Sequence, residues 1–224
     1  MSGHHFWTAK IRESAALNPI DRITEVLFGL IMILTITGSI RVAHAGMQDA
    51  KDMLWSAMSC NLAWGIVDAA MFLMNVVLTR SKSVTVIADI RAALDEKKVR
   101  EIVRNEIPPV LLSFMSDNEL DNIISHVKQA PPVPQKLLLT GSDLFSALQI
   151  FILVFLSGIP VTLPFLFVND VMLAVRISNG LALVMLMIGG YRLAKFSGLR
   201  PLLTGIAYAG IGVALVVLTE VLGG

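Results

Sequence analysis

Residues 64–75, WGIVDAAMFLMN, place one carboxylate, Asp68, inside a run otherwise suited to lipid. A charged side chain at the centre of a spanning helix costs about 2.5–3.5 kcal/mol on insertion scales, so it needs a local partner or a function. On a helix, Asn61, Asp68 and Asn75 recur every seven residues and fall close to one face, with Met71 one turn from Asp68 and Met74 at the edge of that face. Two amides, a carboxylate and thioethers form a donor set for a cation or a proton. One reading of Asp68 is a transport or ion-binding residue; the other is hydrogen-bonded glue between helices. For Met71 and Met74, flexible core filling stands beside ligation.

The chain that must position this stripe is 55% hydrophobic and 16% charged, with a mean hydropathy of +0.72. Soluble domains average about 25% charged residues, so the composition predicts an all-α integral membrane protein. A net charge of +1 excludes a nucleic-acid-binding surface, and the lone Cys60 excludes an intramolecular disulfide or a thiol-rich metal site. Five stretches are long and apolar enough to span: 23–45, 56–79, 143–168, 171–191 and 201–222. The first 22 residues contain no signal-peptide core, and neither a targeting nor a lipidation motif is present, so the first span is expected to remain in the mature chain. The expected division is an N-terminal segment 1–22, two spans in 23–79, a helical insertion with a Pro-rich linker in 80–142, and three spans in 143–224. Lys10, Arg12 and Arg22 precede the first span, nine basic residues lie between Arg80 and Lys136, and Arg192, Lys195 and Arg200 join the last two spans. Only Arg41, Lys51 and Arg176 fall elsewhere, so the N-terminus and the insertion are expected to be cytoplasmic and the C-terminus to face out.

Within the insertion, Ile87, Ile90, Leu94 and Ile102 predict a helix over 84–104, and Pro108-Pro109 ends it or starts another. Asp117 is expected to cap a short helix carrying Leu120, Ile123, Ile124 and Val127, and Ala130-Pro131-Pro132-Val133-Pro134 reads as an extended linker. Ser142 is expected to cap the third span, with Asp143 in its first turn. The insertion reads as a small helical cap whose apolar faces pack together or on the membrane surface, with ligand binding as the alternative.

Arg176 and Glu220 lie at similar depths in the fourth and fifth spans and are expected to form a structural ion pair. Glu25 and Arg22 sit at the mouth of the first span, where snorkelling makes charge tolerable, and His4, His5, His44 and His126 read as surface or interfacial. Pro160 and Pro164 kink the outer half of the third span, which either lines a pathway or bends the packing. Gly205, Ala209, Gly210 and Gly212 give the fifth span a close-packing face. No nucleophile–base pair, phosphate loop or metalloprotease pattern appears, so an enzyme is not expected.

The five-span plan, the insertion after the second span, the segment Ile159-Pro160-Val161-Thr162-Leu163-Pro164-Phe165, the run Ser197-Gly198-Leu199-Arg200 with Gly205, Tyr208 and Gly212, and Arg22 with Gly29 together resemble the vacuolar iron transporter (VIT) family. The resemblance covers most of 20–224. It implies a homodimer in the bilayer that exchanges Fe²⁺, Mn²⁺ or a similar divalent ion for protons, with no permanently bound cofactor. It also implies metal-gathering glutamates on the cytoplasmic helices, here Glu96 and Glu101, with Glu106 and Glu119. Two departures stand out: Met32 occupies the position of the family's first-helix aspartate, and the second-helix carboxylate is displaced to Asp68 within Val67-Asp68-Ala69-Ala70-Met71-Phe72. Met32, Asp68 and Met71 from two protomers would give the dimer axis two carboxylates and several thioethers, suited to a borderline-soft ion. The alternative is a non-transporting scaffold or regulatory protein of the same fold, with Asp68 held by a fixed donor such as Asn61 or Asn75.

Overall fold

The computed structural model describes residues 19–42, 47–131 and 139–222, excepting the side chains at 38–42, 47, 49–50, 53 and 220. All regular structure among them is helical: α1 Pro19–Val42, α2 Met47–Ala92, α3 Glu96–Glu106, α4 Pro109–Leu112, α5 Asp117–Gln129, α6 Gly141–Thr162, α7 Pro164–Phe167, α8 Val171–Ser197 and α9 Pro201–Leu222. Among the described residues, four stretches are long and apolar enough to cross a membrane: Leu54–Ala92, Gly141–Phe167, Val171–Ser197 and Pro201–Thr219. The expected first span, 23–45, is helical as far as Val42 and then runs outside the described residues. So does the part of the Pro-rich linker from Pro132 onward.

Residues group into two compact units, Leu73–Leu144 in one, and Leu17–Phe72 with Phe145–Gly224 in the other. α2 and α6 contribute to both.

In the first unit the expected helix over 84–104 is not a separate element. Its first half continues α2 without a break to Ala92, because nothing from Leu73 onward interrupts the i→i−4 ladder. The break comes at Asp95, whose carboxylate accepts the Lys97 amide and starts α3. Pro108-Pro109 then does both things expected of it, with α3 ending at Glu106 and Pro109 opening α4. Ser116, not Asp117, caps α5: its hydroxyl accepts the Glu119 amide while the Glu119 carboxylate takes the Ser116 N–H at 2.7 Å. That Ser-x-x-Glu box satisfies two helix-end donors at once, whereas Asp117 lies inside the first turn. Ile90, Val99, Val103 and Leu120 are buried together, flanked by Ile107, Leu112 and Met115. This unit carries the chain's polar insertion, so removal of apolar surface from water stabilises it, by about 1.5–3 kcal/mol for each fully buried aliphatic chain. Arg100–Asp121 and Arg104–Asp117 tie α3 to α5, and Arg91 donates to the carbonyls of Val127, Ala130 and Pro131 at the end of α5.

The same unit contains the foot of α6. Thr140 rather than Ser142 occupies the capping position, receiving the Asp143 amide on its carbonyl and giving its own amide and hydroxyl to Asp143 Oδ2 at 2.7 Å each. Asp143 also receives Arg80 Nη1 at 2.6 Å and Nη2 at 2.8 Å. Its side chain is fully buried. This two-pronged pair was not foreseen.

In the second unit Leu27, Leu30, Ile33 and Leu34 of α1 pack with Ala57 of α2, Val161 of α6 and Ala182, Leu186 and Leu193 of α8. Between apolar helices in lipid there is little hydrophobic driving force, so close contact and hydrogen bonding hold the bundle. Small residues permit the contact: a Cβ on Gly29 would lie 2.1 Å from Ser157 Oγ and 2.7 Å from the Val154 carbonyl, and one on Gly205 would lie 2.8 Å from the Met187 carbonyl. Gly212 similarly meets Leu183 and Leu186, whereas Gly210 faces open space. Two of the hydrogen bonds are Thr37 Oγ1 to Asn179 Oδ1 at 2.8 Å and Ser178 Oγ to the Val161 carbonyl. The latter fills an acceptor beside the break at Leu163, where Pro164 opens α7, whereas Pro160 lies inside α6, which continues to Thr162. α8 runs on to Ser197, past the expected end of the fourth span, and stops where Gly198 adopts φ +71°.

Candidate functional site

Asp68 of α2 lies near enough to Glu25 of α1 for its charge to act on the Glu25 carboxyl. One turn along, Phe28 and Trp64 meet edge to face at 6.1 Å between centroids, which fixes the local register of α1 against α2. The pair therefore has an aromatic wall on one side. On the other, α1 begins at Pro19, six residues or about 9 Å before Glu25, and Asp21 adds its negative charge to Glu25 from there.

Neither carboxylate is paired with a cation among the described residues. Asp68 Oδ2 is buried and accepts no hydrogen bond, and the only other buried side-chain atom in that condition among the described residues is Asn61 Oδ1. Asn61 is itself buried and gives its Nδ2 to the Val154 carbonyl at 2.9 Å. That bond orients the amide, since the reverse orientation would set two acceptors against each other. Two orphaned acceptor oxygens on one intramembrane helix, two turns apart, are what a cation or proton would complete.

The structure separates the residues of the expected stripe. Asn61 is buried, Asp68 is half-buried and Asn75 is exposed. Met71 and Met74 are 49% and 55% exposed, and Ile66, Val67 and Leu78 are exposed too. Met32 is half-buried in α1, seven residues beyond Glu25, and contributes its carbonyl to Thr35 Oγ1. Pro160 is half-buried and Pro164 buried at the α6–α7 break. Arg176 is exposed, and the Glu220 side chain lies outside the described residues, as do His4, His5 and His44. On the insertion, Glu96 borders a cleft of about 320 Å³ with Arg100, Asp121 and Lys128, and Glu101 is exposed. No group of three or more His, Cys, Asp or Glu among the described residues is placed to hold a metal ion.

Glu25 is the residue that sequence reasoning set aside. The signal was present: Glu25 and Asp68 are carboxylates in two apolar stretches that follow one another in the chain.

Residues 78–224 match the family model described as the VIT family. No curated protein matches the chain.

Proposed function

The chain belongs to the VIT family, whose members move metal ions across membranes, and on that premise we propose that it is a multi-pass transporter of Fe²⁺ or Mn²⁺ in which Glu25 and Asp68 hold the ion. The observation that carries this reading is the buried Asp68 oxygen left without a partner, within electrostatic reach of a second carboxylate. Two repelling carboxylates are relieved by a shared proton or by a cation between them, so exchange of one for the other is the simplest transport cycle. Carboxylate and amide oxygens suit hard to borderline divalent ions, and Asn61 Oδ1 offers a second oxygen station two turns along α2. The scaffold alternative requires a fixed donor on Asp68; Asn61 donates to Val154 instead, and Asn75 is exposed.

A homodimer completes the proposal. Glu25 and Asp68 are not fully covered by their own protomer, and a carboxylate partly exposed to acyl chains is costly. A second copy packed on the surrounding face of Ile66, Val67, Met71 and Met74 would remove both pairs from lipid and bring the thioethers alongside them. The same proposal takes α1 as a fifth span and places the insertion in the cytoplasm, following the distribution of basic residues. The test is uptake of Fe²⁺ and Mn²⁺ into proteoliposomes carrying wild-type protein, Asp68→Asn or Glu25→Gln. Uptake driven by a pH gradient and lost in both variants is expected. Wild-type rates in Asp68→Asn would remove the pair from the pathway, and no uptake of either ion by folded wild-type protein would refute transport of these ions.

A further inference from the structure

The insertion unit displays an apolar knuckle that its own core does not use. Between Ile107 and Met115 the chain carries nine residues without a charge, Ile-Pro-Pro-Val-Leu-Leu-Ser-Phe-Met. Ile107, Leu112 and Met115 turn inward onto the core of α3 and α5. Val110, Leu111 and Phe114 turn outward and are 71%, 58% and 83% exposed. Single exposed apolar side chains are ordinary on a water-facing surface, but three on one short turn make a patch that calls for an occupant.

Two ion pairs within the same unit set the height of this knuckle. The apolar run of α2 closes at Leu78-Thr79, and that of α6 opens at Leu144-Phe145. Between these ends Arg80 grips Asp143, at the level where the apolar runs of both helices stop. Two residues farther on, Lys82 binds Glu106, the last residue of α3, at 2.9 Å. From Glu106 to Val110 the chain can span at most about 14 Å, so the exposed turn is tethered within reach of the headgroup layer.

The backbone of the knuckle is suited to that layer. Pro108 and Pro109 carry no N–H, and the amides of Leu112, Ser113, Phe114 and Met115 are bonded to the carbonyls of Pro108, Pro109, Leu111 and Leu112. Ser113 turns its hydroxyl back to the Val110 carbonyl at 2.7 Å. With two prolines and these four bonded amides, the turn carries few stripped donors into an apolar region, chiefly the first-turn amides of Val110 and Leu111.

We propose that residues 108–114 are an interfacial anchor, inserting Val110, Leu111 and Phe114 into the headgroup–acyl boundary of the bilayer that the chain itself spans, on the side of the insertion. Such contacts bury an apolar face by about 5–10 Å below the headgroups. The anchor restrains the insertion at the membrane surface through α4, in addition to its covalent links through α2 and α6. It does not depend on which ion is carried, or on whether one is.

The test uses full-length protein in lipid nanodiscs, with Cys60 replaced by serine and an environment-sensitive fluorophore attached at Phe114→Cys or, separately, Val110→Cys. Asn122→Cys, exposed on α5, is the comparison site. The expected result at both knuckle positions is blue-shifted emission, quenched several-fold more strongly than at Asn122 by lipids carrying a nitroxide near the headgroup. Quenching no stronger than at Asn122 overturns the proposal. Blue-shifted emission that such lipids fail to quench also overturns it, because protein, such as a second copy, then covers the patch. Using two knuckle positions guards against misfolding at one, and size exclusion confirms the folded state of each.

Discussion

Replacing Asp143 with Asn should destabilise this chain more than any other single change of one side-chain atom. Asp143 is fully buried and accepts four bonds, two from the Arg80 guanidinium and two from Thr140. An amide keeps one oxygen, so it cannot take the two Arg80 nitrogens on separate oxygens, and it removes the negative charge that faces the guanidinium. Removing one partner of a buried ion pair costs about 3–5 kcal/mol, and the 12% exposure of the Arg80 side chain favours the lower half of that range. The double replacement Arg80→Met with Asp143→Leu removes both desolvation penalties together. Its remaining loss is the cap on Thr140, about 0.5–2 kcal/mol, so the double variant should be more stable than Asp143→Asn alone. Denaturant unfolding of the purified chain in micelles, followed by circular dichroism, measures all the variants. If Asp143→Asn lies within about 1 kcal/mol of wild type, or the double variant loses the sum of both single losses, the pair does not hold the helix feet as argued here.

Gly29→Ala should cost about 1–3 kcal/mol, because its methyl would sit 2.1 Å from Ser157 Oγ and 2.7 Å from a carbonyl oxygen. Adding Ser157→Ala should recover only part of the loss, since the backbone contact stays, and the same unfolding curves would show it. Asn61→Leu should cost only about 0.6–1.7 kcal/mol for its interhelical bond, yet lower uptake; unchanged uptake would remove Asn61 Oδ1 from the ion's path. The Ser116 backbone and hydroxyl bonds hold the Glu119 carboxyl below its usual range. The stabilisation is therefore present above the unfolded value and is lost as pH falls through the lowered one. Hydrogen exchange at the first turn of α5, corrected for intrinsic rates, should show protection falling with acid in the wild type but not in Glu119→Gln.

Apolar run length, the distribution of basic residues and helix-breaking residues are local properties, and the sequence alone carried them. A membrane-embedded helical chain, the break at Pro164, the two-way role of Pro108-Pro109 and the family resemblance were all legible from them, whereas Pro160 sits within an unbroken stretch of α6. Helix ends were less so. Ser116 and Thr140 displaced Asp117 and Ser142 as caps because a reciprocal bond to the third residue of a helix outweighs a single acceptor at its start. α2 ran through the expected boundary near residue 80 because a change from apolar to polar side chains does not interrupt a backbone ladder.

Tertiary structure decided which charges meet. Glu25 and Asp68 lie 43 positions apart and Arg80 and Asp143 63 apart, and no periodicity along one helix can relate side chains on two. The spacing of seven did place Asn61, Asp68 and Asn75 near one face. Burial, however, depends on which neighbours cover that face at each level: α6 closes over Asn61, while Asn75 remains exposed. A sequence thus establishes what a helix offers on each side. The contacts that turn an isolated carboxylate into half of a pair exist only once a second helix lies against it.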